Sequence, residues 1–319
     1  MKRLLLSLIA LLGITHIARF FNRNSLTILL YHGVAPLARR SLGEGGKENR
    51  GLYNYRGKFI EPAHFEVQMR YFKEHYRVLE LDEAVRRLFD GSLPSRALAI
   101  TFDDGYRNFY THAFPILKKL NIPATMFLAT DFVLRRKPLW VDRLEYAASK
   151  ENDALKRLAD SEREQRVVEI ERRAGTMFTD FEGARAVYAP LALEEIREML
   201  RNGMTFGAHT RSHPILSRIQ TERLEDEVMG SKKELETALG RISSTFAYPN
   251  GQPGDWTEEV EKQISAAGFR AALTTIEGTN TRMTHPMRLK RIAMDGTDDS
   301  PAFASIAAGV RVLLRSIRS

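Results

Sequence analysis

Eight short apolar runs recur along the chain: 26–32 (LTILLYH), 76–81 (YRVLEL), 97–102 (ALAITF), 124–129 (ATMFLA), 204–209 (MTFGAH), 244–249 (STFAYP), 271–276 (AALTTI) and 288–294 (RLKRIAM). Strands read this way when both faces of a parallel sheet are covered, because no solvent face imposes polar alternation. Amphipathic segments separate many of the runs. Residues 62–74 carry Phe65, Met69 and Phe72 on one side, DEAVRRLF follows Asp82 as an N-cap, and HAFPILKKL follows Thr111. Leu224, Val228, Leu235 and Leu239 form a further stripe that ends at Gly240. Strand and helix in alternation predict an α/β fold, and eight candidate strands favour closure into a barrel over an open sheet.

One region breaks the alternation. Residues 135–192, typified by KENDALKRLADSEREQRVVEIERRA, contain no strand candidate and predict a helical insertion on the outside of the main fold, its charge most simply a solvated face, with a partner surface as the alternative. The loop 38–57 (ARRSLGEGGKENRGLYNYRG) is polar and glycine-containing, and reads either as a lid or as a plain connection. The main unit is then 25–300, flanked by terminal segments 1–24 and 301–319.

The length of 319 residues allows a sizeable core, and 43% hydrophobic with 28% charged residues is ordinary for a folded protein. The net charge of +8 favours an anionic partner, but no nucleic-acid-binding signature is present and none is expected to bind. With no cysteine, disulfides, zinc-thiolate sites and a cysteine nucleophile are excluded. The N-terminus couples Lys2 and Arg3 to an apolar run from Leu4 to Ile14, then Arg19 and Arg23. It reads as a signal peptide without a good cleavage site, as a span interrupted early by His16 and Arg19, or, with the best fit, as a basic helix lying on an anionic membrane surface. The segment FASIAAGVRVLLRSIRS repeats this character, with Val310, Leu313, Leu314 and Ile317 on one face. It reads equally as a final helix packed on the domain.

Polar groups gather where the proposed strands end: Tyr31 and His32, Asp103 and Asp104, His209, Tyr248 with Pro249 and Asn250, Thr274 and Thr275, and Arg291. Loops leaving those ends converge on one face of a parallel barrel, so they mark a candidate active site. In GAHTRSHPI, His209 and His213 have a metal-ligand spacing that, on a helical turn, puts both rings on one side. The zincin pattern requires Glu after the first His, and Thr210 stands there. Two His and one carboxylate leave coordination positions open, as a catalytic ion needs. Alone, Asp103-Asp104-Gly105 is a turn; beside a histidine pair, one carboxylate can hold a cation while its neighbour acts as a base.

Together TFDDGY, HTRSH and FAYPNG, in that order, resemble the polysaccharide deacetylase family, metal-dependent carbohydrate esterases that remove acetyl groups from glycans. The likeness runs from LTILLYHGV to RLKRIAMDG. It implies a distorted (β/α)7-type barrel, a divalent ion, most often zinc, and an acetylated glycan as substrate. It also implies Asp103 as the catalytic base, Asp104, His209 and His213 as metal ligands, and Pro249 with Gly251 in a loop that supplies a groove wall and a backbone N–H. His32, Tyr106, Tyr248, Pro249 and Asn250 are the expected substrate contacts. Many members place an Arg where this chain has Ala247; Arg291 is expected to substitute in orienting the base. The general acid stays open among His32, His285 and water. A catalytically inactive glycan-binding or membrane-surface protein on the same fold is the alternative reading.

Overall fold

The computed structural model describes residues 14–36, 58–147, 149, 151–294 and 302–310. Ten strands occur among them: β1 (Thr27–Tyr31), β2 (Gly33–Val34), β3 (Phe59–Ile60), β4 (Arg77–Val78), β5 (Ala97–Phe102), β6 (Thr125–Leu128), β7 (Thr205–Ala208), β8 (Thr245–Ala247), β9 (Ala271–Glu277) and β10 (Leu289–Ala293). Seven of them close in the order β1-β10-β9-β8-β7-β6-β5 and back to β1, every pairing parallel. The fold is a (β/α)7 barrel. The side chains of β1, β5 and β6 are all buried, which is why these strands read as unbroken apolar runs.

The run 76–81 departs from expectation. Only Arg77 and Val78 pair, with the start of β5, because Glu80 already caps the helix Leu81–Asp90 by accepting from Glu83 N at 3.0 Å. Asp82, expected as that cap, instead accepts from Ser243, Ser244 N and Thr245 below β8. The helix Pro62–His75 buries Phe65, Met69 and Phe72 as its spacing predicts.

Between β6 and β7 the insertion folds as the helices Trp140–Tyr146, Asn152–Leu155 and Asp160–Ala174 and a 3-10 turn, Gly183–Tyr188. It has a small core of its own around Trp140, Leu144, Leu155, Val167 and Ile170. It is not merely peripheral. Trp140 Nε1 donates to His213 O at 3.1 Å, which seats the first of these helices against the barrel mouth.

The helix Ile14–Phe21 packs on the helix Ala302–Ala307, with Thr15 and Ser305 hydroxyls 2.8 Å apart and Asn22 Nδ2 donating to Ala308 O at 2.9 Å. Phe303, Ile306 and Val310 are buried, so the described part of the C-terminal segment packs on the domain. No helix among the described residues is long and apolar enough to cross a membrane. Residues 1–13, the loop 38–57 and residues 311–319 lie outside the described residues.

Candidate active site at the barrel mouth

The strand β5 delivers Asp103 and Asp104 to its C-terminal end, where Asp103 N donates to Tyr31 O of the neighbouring β1 at 3.0 Å. The chain then turns sharply: Asp104 has φ +79° and Gly105 φ +103°, and a Cβ at Gly105 would lie 2.7 Å from Val133. Thr210, His213 and Asn250 also carry positive φ, so four of the seven non-glycine residues in that region of conformation among the described residues stand in loops of this mouth. Such backbone persists only where surrounding contacts hold it.

Those contacts correct one expectation. His209 and His213 are not on a helical turn but in a loop leaving β7. Thr210 Oγ1 accepts from His213 N at 3.0 Å, and the buried Glu227 accepts from Arg211 N and Ser212 N, each at 2.9 Å. This clamp brings the two rings to 4.9 Å between centroids. Glu227 stands beside Val228 of the amphipathic stripe that follows, where spacing gives it no role.

The ligand atoms of Asp104, His209 and His213 all lie within 4.8 Å of one another. Asp104 Oδ1 is 3.5 Å from His209 Nε2 and 3.3 Å from His213 Nε2. Two ligands about 2.0–2.2 Å from one tetrahedral zinc stand roughly 3.3–3.6 Å apart, so the donor set fits a single ion. His209 Nδ1 lies 2.7 Å from Ala247 O, which fixes that nitrogen as the protonated one and leaves Nε2 a free lone pair. Burial pushes the Asp104 carboxyl up, but the imidazoles of His209 and His213 that face it outweigh this and hold the group well below the carboxylate range.

Asp103 faces a different partner. Arg291 Nη1 and Nη2 donate to its two oxygens at 2.8 and 2.7 Å, and neither residue is appreciably exposed. Along this part of the sheet, two residues of β10 pass against four of β9, and Thr274 O at the irregularity accepts from Arg291 Nε at 2.9 Å. Burial raises the Asp103 pKa, yet the guanidinium more than offsets this and keeps it below its ordinary value. Arg291 thus reaches Asp103 from another strand than the one that carries Ala247.

Asp103, Asp104, His209 and His213 share a cavity of about 460 Å³ with His32, Lys58, Trp140, Glu145, Asn250 and Gln252. That size is within the ~300–1,000 Å³ of small-molecule sites. His32 sits there as expected; burial lowers its pKa despite the two aspartates nearby. Asn250 lines the cavity and its amide donates to Asp255 at 2.5 Å. Pro249 shapes the same loop, its carbonyl accepting from Gly251 N at 2.7 Å. Tyr106 and Tyr248 stand one layer behind: Tyr106 donates to Asp142 Oδ1 at 2.7 Å, and Tyr248 donates to Met287 O at 3.1 Å while stacking on Trp256. His285 is remote from the cavity and caps the turn Pro286–Arg288.

Sequence reasoning missed the wall made by Lys58, Asp142 and Glu145. Lys58 Nζ binds Asp142, and Glu145 at 3.3 Å, and lies 4.8 Å from the Tyr106 ring centroid. Burial pushes the Asp142 carboxyl up to about 6, although Lys58 opposes this. The partners come from segments more than 80 residues apart, so no local pattern announced them. Lys58→Met takes the Lys58 ammonium away from two buried carboxylates. We expect a loss of about 2 kcal/mol at neutral pH, the scale of a lost hydrogen bond to a charged group. The loss shrinks as pH falls and the carboxylates take up protons, so melting temperatures of both forms at pH 8 and pH 5 check it.

A closed parallel barrel with an Asp-His-His centre at its strand ends, next to a carboxylate paired with a buried guanidinium, defines a barrel protein with a hydrolase-type mouth. The sequence profile for polysaccharide deacetylase matches residues 90–272, more than half of the chain. The chain belongs to the polysaccharide deacetylase family. Its fold is shared with the deacetylase PplD of Streptococcus pyogenes, solved with acetate, at a TM-score of 0.61 and 24% identity, covering 87% of this chain and 95% of that one. It is shared as well with IcaB of Ammonifex degensii, at a TM-score of 0.60 and 21% identity, covering 89% and 97%. A poly-β-1,6-N-acetyl-D-glucosamine N-deacetylase of Staphylococcus epidermidis is 36% identical over 118 residues, 35% of this chain and 39% of that enzyme's length.

Proposed function

We propose that the protein is a metal-dependent hydrolase that removes acetyl groups from N-acetylated sugars of a polysaccharide. The observation that carries this reading is that Asp103, held from behind by the buried Arg291, opens into the same cavity as Asp104, His209 and His213. A divalent ion, zinc by its donors, would be held by Asp104, His209 and His213 and supply Lewis acidity to an acetyl carbonyl together with a lowered pKa for water.

The chain's own residues do the rest. Arg291 holds both Asp103 oxygens, which fixes the carboxylate plane, and each oxygen keeps a second lone pair to accept a proton from the attacking water. In the loop after β8 the amides of Gly251 and Gln252 are committed to Pro249 O and Asp255. The backbone N–H of Asn250, distinct from the side-chain amide that binds Asp255, is then the loop's donor for a developing oxyanion. His32 is the cavity's imidazole outside the ligand set; neutral at rest through burial, it takes up a proton and passes it to the departing sugar nitrogen. The N-acetylated sugar is the substrate class carried by the name of the staphylococcal relative.

The test is acetate release from N-acetylglucosamine oligomers alongside metal analysis. One divalent ion per chain is expected, chelation should stop turnover, and His213→Ala should lose both ion and activity. Protein that carries no divalent ion and releases no acetate would sink the proposal. Attachment to a bilayer is a separate proposal, supported by the basic and apolar sequence of residues 1–13.

A further inference from the structure

Because the barrel strands are parallel, the residues that precede them share the rim opposite the mouth. Arg23 before β1, Arg77 opening β4, Arg96 before β5, Arg241 before β8 and Arg270 before β9 are all exposed there. Backbone bonds join several of these positions: Arg96 N donates to Arg23 O at 2.6 Å and Arg77 N to Arg96 O at 2.9 Å. Arg282 belongs with them, exposed beside Gly91 in the loop whose Asn280 bridges Leu26 below β1. Among the described residues none of these six arginines forms an ion pair. Around the mouth Arg143, Arg211, Arg223 and Arg291 are all paired, whereas Arg136, Arg157 and Arg172 of the insertion, like the rim arginines, are exposed and form no ion pair among the described residues.

The same end gathers exposed apolar side chains. Of the eight large ones exposed among the described residues, four are here: Ile17, Phe20, Phe21 at 72% and Met283 at 92%. The Arg23 guanidinium lies 3.9 Å from the Phe20 ring centroid. The sequence that leads into this helix, MKRLLLSLIALLG, is basic and then apolar. Aromatic and aliphatic side chains among unpaired cations complement one surface in particular: an anionic bilayer, whose interface takes the rings and whose phosphates take the guanidinium groups.

We propose that this rim docks on an anionic lipid bilayer and so turns the catalytic mouth away from the membrane. Taken with the deacetylase reading on which this consequence rests, the substrate is polymer that has left the membrane surface, not a sugar still held at the lipid headgroups.

The chain has no cysteine, so single-cysteine variants of the full chain can carry an environment-sensitive fluorophore. Met283→Cys reports on the rim and Gln252→Cys on the mouth. With phosphatidylcholine vesicles containing about one-third phosphatidylglycerol, the rim probe should shift to the blue in a salt-sensitive way while the mouth probe stays unchanged. In the variant Arg96→Glu/Arg241→Glu/Arg282→Glu, vesicle affinity should fall on the order of 100-fold, from roughly fivefold per arginine at an anionic surface. A shift at the mouth probe, or at neither, overturns the proposal. A rim shift with soluble DNA or an acidic polysaccharide but not with vesicles overturns it too, and assigns the rim to a polymer. Circular dichroism of each variant confirms the fold. None of these readouts uses acetate release, so failure of the docking and failure of the deacetylase reading are separately visible.

Discussion

Asp103→Asn is expected to slow acetate release by about 10²–10⁴-fold, the usual contribution of a positioned general base. The amide keeps the shape of the carboxylate but cannot accept a proton from water. Metal content should be unchanged, since Asp104, His209 and His213 are a separate donor set. Turnover measured at full metal occupancy separates this from loss of the ion. Retained turnover in a fully loaded Asp103→Asn protein would remove Asp103 from the base role.

Arg291→Met should destabilise the protein by about 3–5 kcal/mol, the scale for breaking a buried ion pair from one side, because Asp103 is left charged at 2% exposure. The pH dependence follows from the direction of the shift. The Asp103 pKa is depressed in the folded chain, so the pair contributes stability above the unfolded value, near 4, and loses it as pH falls through the folded value. The variant's deficit in melting temperature should therefore narrow in acid. The double variant Asp103→Asn/Arg291→Met removes both charges; it should regain much of the stability and none of the activity, which divides the fold's need for the pair from the chemistry's. Equal melting temperatures of wild type and Arg291→Met at neutral pH would contradict this account.

The barrel was legible because burial on both strand faces leaves a simple mark, an unbroken apolar run. The run 76–81 carried that mark without becoming a full strand, since Glu80 starts a helix inside it and capping prevailed over hydropathy. Arg291 could be singled out because it stands where a proposed strand ends and because the family resemblance asks for an arginine that position 247 lacks. Its bond to Asp103 spans 188 residues of sequence and rests on an irregular register that no local pattern announces. The H-x-x-x-H spacing pointed to the right pair of side chains through the wrong local structure, because helix and loop can deliver the same two rings. The acidic wall of the insertion was least legible. Asp142 and Glu145 looked like ordinary solvated charges until Lys58 and Tyr106 were seen to close on them.

The loop that carries His209 and His213 is held from within the protein, by Glu227 on two amides and by Thr210 on a third. These bonds owe nothing to a cation. The spacing of the two rings is thus set by a carboxylate and a hydroxyl that stand outside the donor set, so a change at Glu227 reaches the centre without touching any group in it.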